Sequence, residues 1–160
     1  MTEVLRGFPP IIDRAARTLI VGSFPSVASL AARQYYAFSR NQFWRLIGAV
    51  LDAPLAEMDY AERQAVLHHG GIAVWDVYAS CERSGSRDSE IRNALANDFG
   101  KLKKLAPHLR RVCFNGQEAA GFARHFDELG YATQVLPSSS PMYTLAFEKK
   151  LAAWRAVLES

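Results

Sequence analysis

Four short apolar runs punctuate the chain: Thr18-Leu19-Ile20-Val21, Ile72-Ala73-Val74-Trp75-Asp76-Val77-Tyr78, Arg111-Val112-Cys113-Phe114 and Thr133-Gln134-Val135-Leu136. They are rich in β-branched and aromatic residues, and polar, glycine- or proline-containing turn chemistry follows each of them. Between them lie stretches of helical periodicity. From Asn41 to Leu51 the apolar residues Phe43, Trp44, Ile47, Val50 and Leu51 recur at the spacing of one helix face. Leu55 to His69, Phe99 to Leu105, Gln117 to Leu129 and Leu145 to Leu158 read as further helices, and Ala79 to Asp88 reads as a polar loop. Strands alternating with helices predict an α/β domain, with a central, mainly parallel four-stranded sheet flanked by helices on both faces.

The 160 residues suit one such domain, a single unit over 1–160 with no repeat or linker. A domain of this length buries roughly 68–70% of its unfolded surface, so folding needs neither disulfide nor metal. Cys81 and Cys113 are too few for a four-cysteine zinc site or an iron–sulfur cluster. No apolar run approaches the ~18 residues of a membrane helix. The opening MTEVLRGFPP lacks the apolar core of a signal peptide, which makes the cytoplasm the expected compartment. The net charge of +3 hides an asymmetry: residues 1–51 carry +4, residues 52–99 carry −5 and residues 100–160 carry +4. If the basic outer thirds converge in space, they form a positive face suited to a polyanion; the plain alternative is solvated surface charge.

Open parallel sheets bind ligands at the carboxyl ends of their strands. The loops there are 22–40, 79–88, 115–116 and 137–144. Gly22-Ser23-Phe24-Pro25-Ser26 is neither a Walker motif nor a dinucleotide fingerprint. Its backbone N–H groups can hold an anion or a carbonyl oxygen, or it is a plain strand exit. Ser138-Ser139-Ser140-Pro141 offers hydroxyls to a phosphate, or capping serines in a flexible loop. No G-x-S-x-G elbow is present. Gln34 to Trp44 places five aromatics beside Arg33, Arg40 and Arg45, a composition suited to base stacking with phosphate contact. Phe43 and Trp44 begin the helical stripe and belong to the core, whereas Tyr35, Tyr36 and Phe38 have no evident core role. Asp76 ends a strand as a general base, an arginine partner or a loop cap. The four histidines are scattered without metal-ligand spacing. Cys113 reads as a core residue, and Cys81, in the predicted loop, as a candidate exposed thiol.

Three segments together carry a resemblance. They are LIVGSFPS at Leu19–Ser26 with YYAFSRNQFW at Tyr35–Trp44, then GIAVWDVYASCERSGSRDSEIRN at Gly71–Asn93, then LPSSSP at Leu136–Pro141. In this order they resemble the uracil-DNA glycosylase superfamily, and most closely its hypoxanthine-DNA (deoxyinosine) glycosylase branch. The likeness runs from Gly7-Phe8-Pro9-Pro10 to the last helix. It implies an enzyme that flips a damaged nucleotide out of the duplex and hydrolyses its N-glycosidic bond, with no metal or organic cofactor. The superfamily's first motif usually supplies an Asp or Asn that positions the water. The matching residue here is Phe24, which can neither accept a hydrogen bond nor polarise anything. The deoxyinosine branch is similar in lacking that group, and the resemblance implies Asn41 as the catalytic residue, hydrogen-bonding the water or the base. A helix cap is the alternative role for Asn41.

The same resemblance implies a base pocket of Gly22, Ser23 and Phe24, with Tyr36 stacked on the flipped base. Ser138, Ser139 and Ser140 would grip phosphates, with Ser26 and Arg40 as further DNA contacts. Met142 or Tyr143 would fill the gap left in the duplex. Phe38-Ser39 stands where the family often has His-Pro. The implied partner is double-stranded DNA carrying a deaminated base, bound by a monomer away from any membrane. None of the five lysines lies in the motif loops, so strand cleavage by the enzyme is not expected. Two other classes stay open: a non-catalytic nucleic-acid-binding or damage-sensing module, and a small-molecule hydrolase using Ser138–Ser140.

Overall fold

The computed structural model describes residues 3–160. The chain runs β1 (Val4–Arg6), β2 (Thr18–Gly22), α1 (Val27–Ala32), α2 (Phe43–Leu51), α3 (Tyr60–His69), β3 (Ile72–Asp76), β4 (Tyr78–Glu82) and β5 (Arg92–Ala96). It continues through α4 (Leu102–Leu105), β6 (Arg111–Asn115), α5 (Gln117–Ala120), α6 (Ala123–Glu128), β7 (Ala132–Leu136) and α7 (Phe147–Leu158). The four apolar runs supply an all-parallel sheet in the order β3-β2-β6-β7, although the second run ends its strand at Asp76 and not at Tyr78, which begins β4. The winding goes from β2 outward to β3, then returns past β2 to β6 and β7. It therefore reverses between β2 and β6, and at such a point the loops part and leave a crevice. The register aligns Gly22 with Asp76, Val21 with Phe114, and Asn115 with Leu136. Asp76, Gly22, Asn115 and Leu136 consequently stand in a row along the carboxyl edge.

Side chains alternate across a strand, so the apolar runs feed two cores. Leu19, Val21, Ala73, Trp75, Val112 and Phe114 pack with Phe99, Leu102 and Phe126 on one face. Ile20, Val74, Cys113 and Leu136 pack with Phe43, Leu46, Ile47, Leu67 and Trp154 on the other. An all-parallel sheet needs this cover on both faces. Among the described residues, no helix is long and apolar enough to cross a membrane.

Several local expectations are corrected. The segment 79–88 is not all loop: β4 runs to Glu82 and pairs antiparallel with β1 and β5 in a second sheet of three strands. Its strands are half-exposed and polar, and two register shifts interrupt β4 against β5, which hides the alternation. Cys81 consequently lies in a strand and is fully buried rather than exposed. The loop expected over 22–40 contains α1, begun by Ser26, whose Oγ accepts from the Ser29 N–H at 3.1 Å. Leu55–His69 is a 3-10 turn followed by α3, because Asp59 caps a new start on the Glu62 N–H at 2.9 Å. Gln117–Leu129 is divided into α5 and α6 at Gly121-Phe122. Tyr35 does have a core role: it is 3% exposed, its hydroxyl donates to the Pro9 carbonyl at 2.9 Å, and its carbonyl accepts from Trp44 Nε1 at 3.0 Å.

Candidate active site

The loops at the carboxyl edge enclose a cleft of about 1280 Å³. The turn after β2, Asn41, Asp76, the 86–89 segment, Asn115 and the 137–143 loop line it. Gly22 makes the convergence sterically feasible. A Cβ there would stand 2.7 Å from Tyr36 Oη and 2.8 Å from Asp76 Oδ1, closer than side chains tolerate. Gly116, at φ +97°, turns the chain after β6 so that Ser138 can lie against it.

Asn41 sits just ahead of α2. Its Oδ1 accepts from the Phe43 N–H at 2.9 Å and from Ser139 Oγ at 2.8 Å. The backbone N–H assigns the amide's orientation, since only an oxygen can face it. Both lone pairs of Oδ1 are therefore occupied, and the –NH2 group is what Asn41 offers to the cleft. Asn41 thus precedes the N-cap residue Gln42 and closes an Asx turn on the first helical N–H, while its amide also joins Ser139.

Ser139 is 1% exposed and turned inward. Its Oγ accepts from Asn115 Nδ2 at 2.9 Å, and its backbone N–H donates to Asn115 Oδ1 at 2.9 Å. With its hydroxyl also donating to Asn41, Ser139 has nothing left for a phosphate. Its expected DNA contact is replaced by a positioning role. Asn115 Nδ2 also donates to Tyr36 Oη at 3.1 Å. Tyr36 is held at φ +54°, unusual for a residue with a Cβ, and its ring stacks on Phe43 with centroids 4.0 Å apart. One connected set of hydrogen bonds thus fixes Tyr36, Asn115, Ser139 and Asn41.

Ser138 Oγ accepts from the Ser140 N–H, and Ser140 Oγ from the Met142 N–H, both at 3.1 Å. Each hydroxyl proton is left to donate outward. Met142 and Tyr143, 67% and 48% exposed, stand at the mouth with exposed Arg40. Ser26 is engaged as the α1 cap and also donates to Ser29 Oγ at 3.1 Å, which leaves it little for DNA.

Asp76, which the sequence offers as a general base, an arginine partner or a loop cap, lines the cleft together with Asp88, which the sequence does not single out. Asp76 is 4% exposed, and its Oδ2 is buried without a hydrogen-bond partner. Burial pushes its carboxyl up to about 7; repulsion from Asp88 adds to this and Arg83 opposes it. Asp88 accepts from Ser23 Oγ at 2.6 Å, and burial raises its carboxyl too. Arg83, also buried, donates to the Pro25 and Gly85 carbonyls at 2.7 Å each and lies 5.3 Å over the Phe24 ring. The 83–89 segment thereby becomes a wall of the cleft against the first motif. Phe24 is 7% exposed beneath it, apolar as expected. The carboxyl-edge rule points to Asp76 and Asn115, because each is the last residue of its strand. Among the described residues, no histidine lines the cleft. Among the described residues, no group of three or more His, Cys, Asp or Glu is placed to hold a metal ion.

The fold and the cleft define a class: an α/β domain built on a parallel four-stranded sheet, whose winding-reversal crevice holds a fixed amide, a buried carboxyl and a hydroxyl-rich loop. A family model described as the uracil DNA glycosylase superfamily matches residues 9–159, and the chain belongs to that superfamily. It is 40% identical over 154 residues to a protein of Methanosarcina acetivorans named hypoxanthine DNA glycosylase, covering 96% of this chain and 98% of that one. It is 35% identical over 149 residues to a protein of the same name from Methanosarcina barkeri, covering 93% and 94%. The solution NMR structure of a candidate uracil DNA glycosylase from Methanosarcina acetivorans superposes with a TM-score of 0.89 at 39% identity, covering 98% of this chain and 97% of that one.

Proposed function

We propose that the chain is a monofunctional DNA glycosylase that takes deoxyinosine out of duplex DNA and hydrolyses the bond between hypoxanthine and its sugar. The observation that carries this reading is the Asn41 amide, which lines the cleft with its Oδ1 taken up by Ser139 and the Phe43 N–H, leaving the –NH2 as its free donor. The names of the relatives support the choice of base. In the reaction the C1′–N9 bond breaks and its electron pair stays on the purine, which is then protonated. Water bonds to C1′ and loses a proton. The sugar has oxocarbenium character, so water needs placement more than activation. The charge that must be stabilised grows on the purine, and Asn41 donates to it. A pre-organised donor of this kind typically contributes ~2.7–4 kcal/mol, about 10²–10³ in rate.

Asp76 is the second polar group of the pocket. As a neutral acid it both donates and accepts. That pair of functions matches the O6 and N1–H edge of hypoxanthine. Tyr36 offers its ring to the flipped base, the Ser138 and Ser140 hydroxyls donate to phosphates, and Met142 or Tyr143 enters the vacated stack. On this reading the chain acts as a monomer on double-stranded DNA in the cytoplasm.

The test is a panel of duplexes, each carrying one hypoxanthine, uracil, xanthine or ethenoadenine, with released base detected by chromatography. Hypoxanthine release is expected, with the strand intact until alkali is added. Binding without base release would favour the non-catalytic module. A borohydride-trapped adduct would contradict monofunctional hydrolysis.

A further inference from the structure

Lys150 lies on α7, outside every loop of the cleft in sequence, yet its ammonium ends behind the serine loop. The residue is 1% exposed. Nζ donates to Gln42 Oε1 at 2.8 Å and to the Ser140 carbonyl at 3.0 Å, and it lies 5.4 Å from the centre of the Tyr143 ring. Both hydrogen-bond partners are neutral. Among the described residues, no ion pair involves Lys150. An ammonium has three donors, and two are used. Burial pulls its pKa down, so the protein alone opposes this charge.

The surroundings say what the charge serves. One helical turn further on, Trp154 Nε1 donates to the Pro137 carbonyl at 2.9 Å. Helix α7 therefore holds both ends of the serine loop, and Lys150 is the contact that brings charge to it. The backbone N–H of Gln42 donates to the Ser139 carbonyl at 2.9 Å, and Gln42 directly follows Asn41. The ammonium is thus joined to the loop that offers free hydroxyl protons and to the segment that carries the catalytic amide. A buried cation held only by neutral acceptors is unfavourable until an anion completes its surroundings. Resting on the glycosylase reading above, we propose that Lys150 is the buried counter-charge for the DNA phosphodiester held by Ser138 and Ser140, and that through Gln42 it couples phosphate capture to the position of Asn41.

The experiment measures binding of the full chain to a duplex carrying one tetrahydrofuran abasic analogue, across a range of salt concentrations. Circular dichroism and single-turnover hypoxanthine release are followed alongside. Lys150→Met should stay folded, because it removes a charge that the free protein does not pair. Its plot of log K against log salt should be shallower than wild type by about 0.9, one phosphate's worth of counterion release. Hypoxanthine excision at saturating enzyme should fall about tenfold. Should Lys150→Met be unfolded, Lys150→Gln, which keeps an amide donor, carries the same slope test. An unchanged slope in a folded variant overturns the proposal, and so does unfolding of both variants, which would make Lys150 a structural clamp. The slope needs no catalysis. Wild type that binds but releases no base would sink the glycosylase reading while still deciding the role of Lys150.

Discussion

In the proposed reaction, Asp76 sets the pH dependence of excision. Its neutral form is the one that can donate to O6, and burial holds the carboxyl at about 7, with Asp88 and Arg83 as its charged neighbours. Excision should therefore decline as pH rises above about 7, where the ionised acid would oppose O6. Asp76→Asn keeps one donor and one acceptor, so it should stay within about tenfold of wild type and lose that decline; Asp76→Ala should lose both hydrogen bonds. Single-turnover rates from pH 5 to 9 check this, and a rate that rises through pH 7 would instead make Asp76 a base toward water. The stability has a definite sign as well. The folded pKa lies above the unfolded value of 3.8, so the folded state holds the extra proton, and stability should fall as pH rises from about 4 to 7. Asp76→Asn should flatten that fall in denaturant titrations. At this scale the sequence was partly legible. Asn41, Tyr36 and Phe24 could be singled out by motif. The inward turn of Ser139 could not, because its partners are distant in sequence: Asn115 reaches it through the sheet register and Asn41 through the segment that opens α2.

The serine loop is an element whose geometry assigns different work to its three hydroxyls. Ser138 and Ser140 accept from backbone N–H groups and keep a proton to donate, whereas Ser139 is used up internally. Ser138→Ala and Ser140→Ala should each weaken binding to damaged and undamaged duplexes alike, by about 0.5–1.5 kcal/mol, because phosphate contacts carry no base information. Equilibrium binding to matched duplexes with and without deoxyinosine checks this. A change in base preference alone would show that the loop reads the base. Three of the four parallel strands, β2, β3 and β6, were legible as short apolar runs buried on both faces, whereas β7 is largely exposed and was marked only by its place between turns. The antiparallel sheet of β1, β4 and β5 was not, since its strands pack on one side only and carry Ser, Glu, Arg and Asn. Helix α1 was hidden by its length: six residues after a capping serine leave no full period to detect.

The whole molecule brings its site together from segments scattered along the chain. The register sets Asp76, Gly22 and Asn115 side by side, and α7 returns from the far end of the chain to hold the serine loop. Sequence periodicity could place the cleft at the carboxyl edge, but not Lys150 behind it, because helical spacing says nothing about which loop a helix faces. The acidic middle third supplies Asp76 and Asp88 to the pocket, so the cleft is a mixed-charge site lined by these two acids together with Arg40 and Arg87. The central claim concerns the amide donor at its centre. Its most direct test is single-turnover release of hypoxanthine from a deoxyinosine duplex by wild type, Asn41→Ala and Asn41→Asp, with melting temperatures alongside. Both variants should be slower by about 10²–10³, because Asp can keep the bonds to Ser139 and the Phe43 N–H but has no –NH2 to give the departing base. Release by Asn41→Ala within about threefold of wild type, with only the ~1 kcal/mol stability loss of a missing cap, would contradict the account.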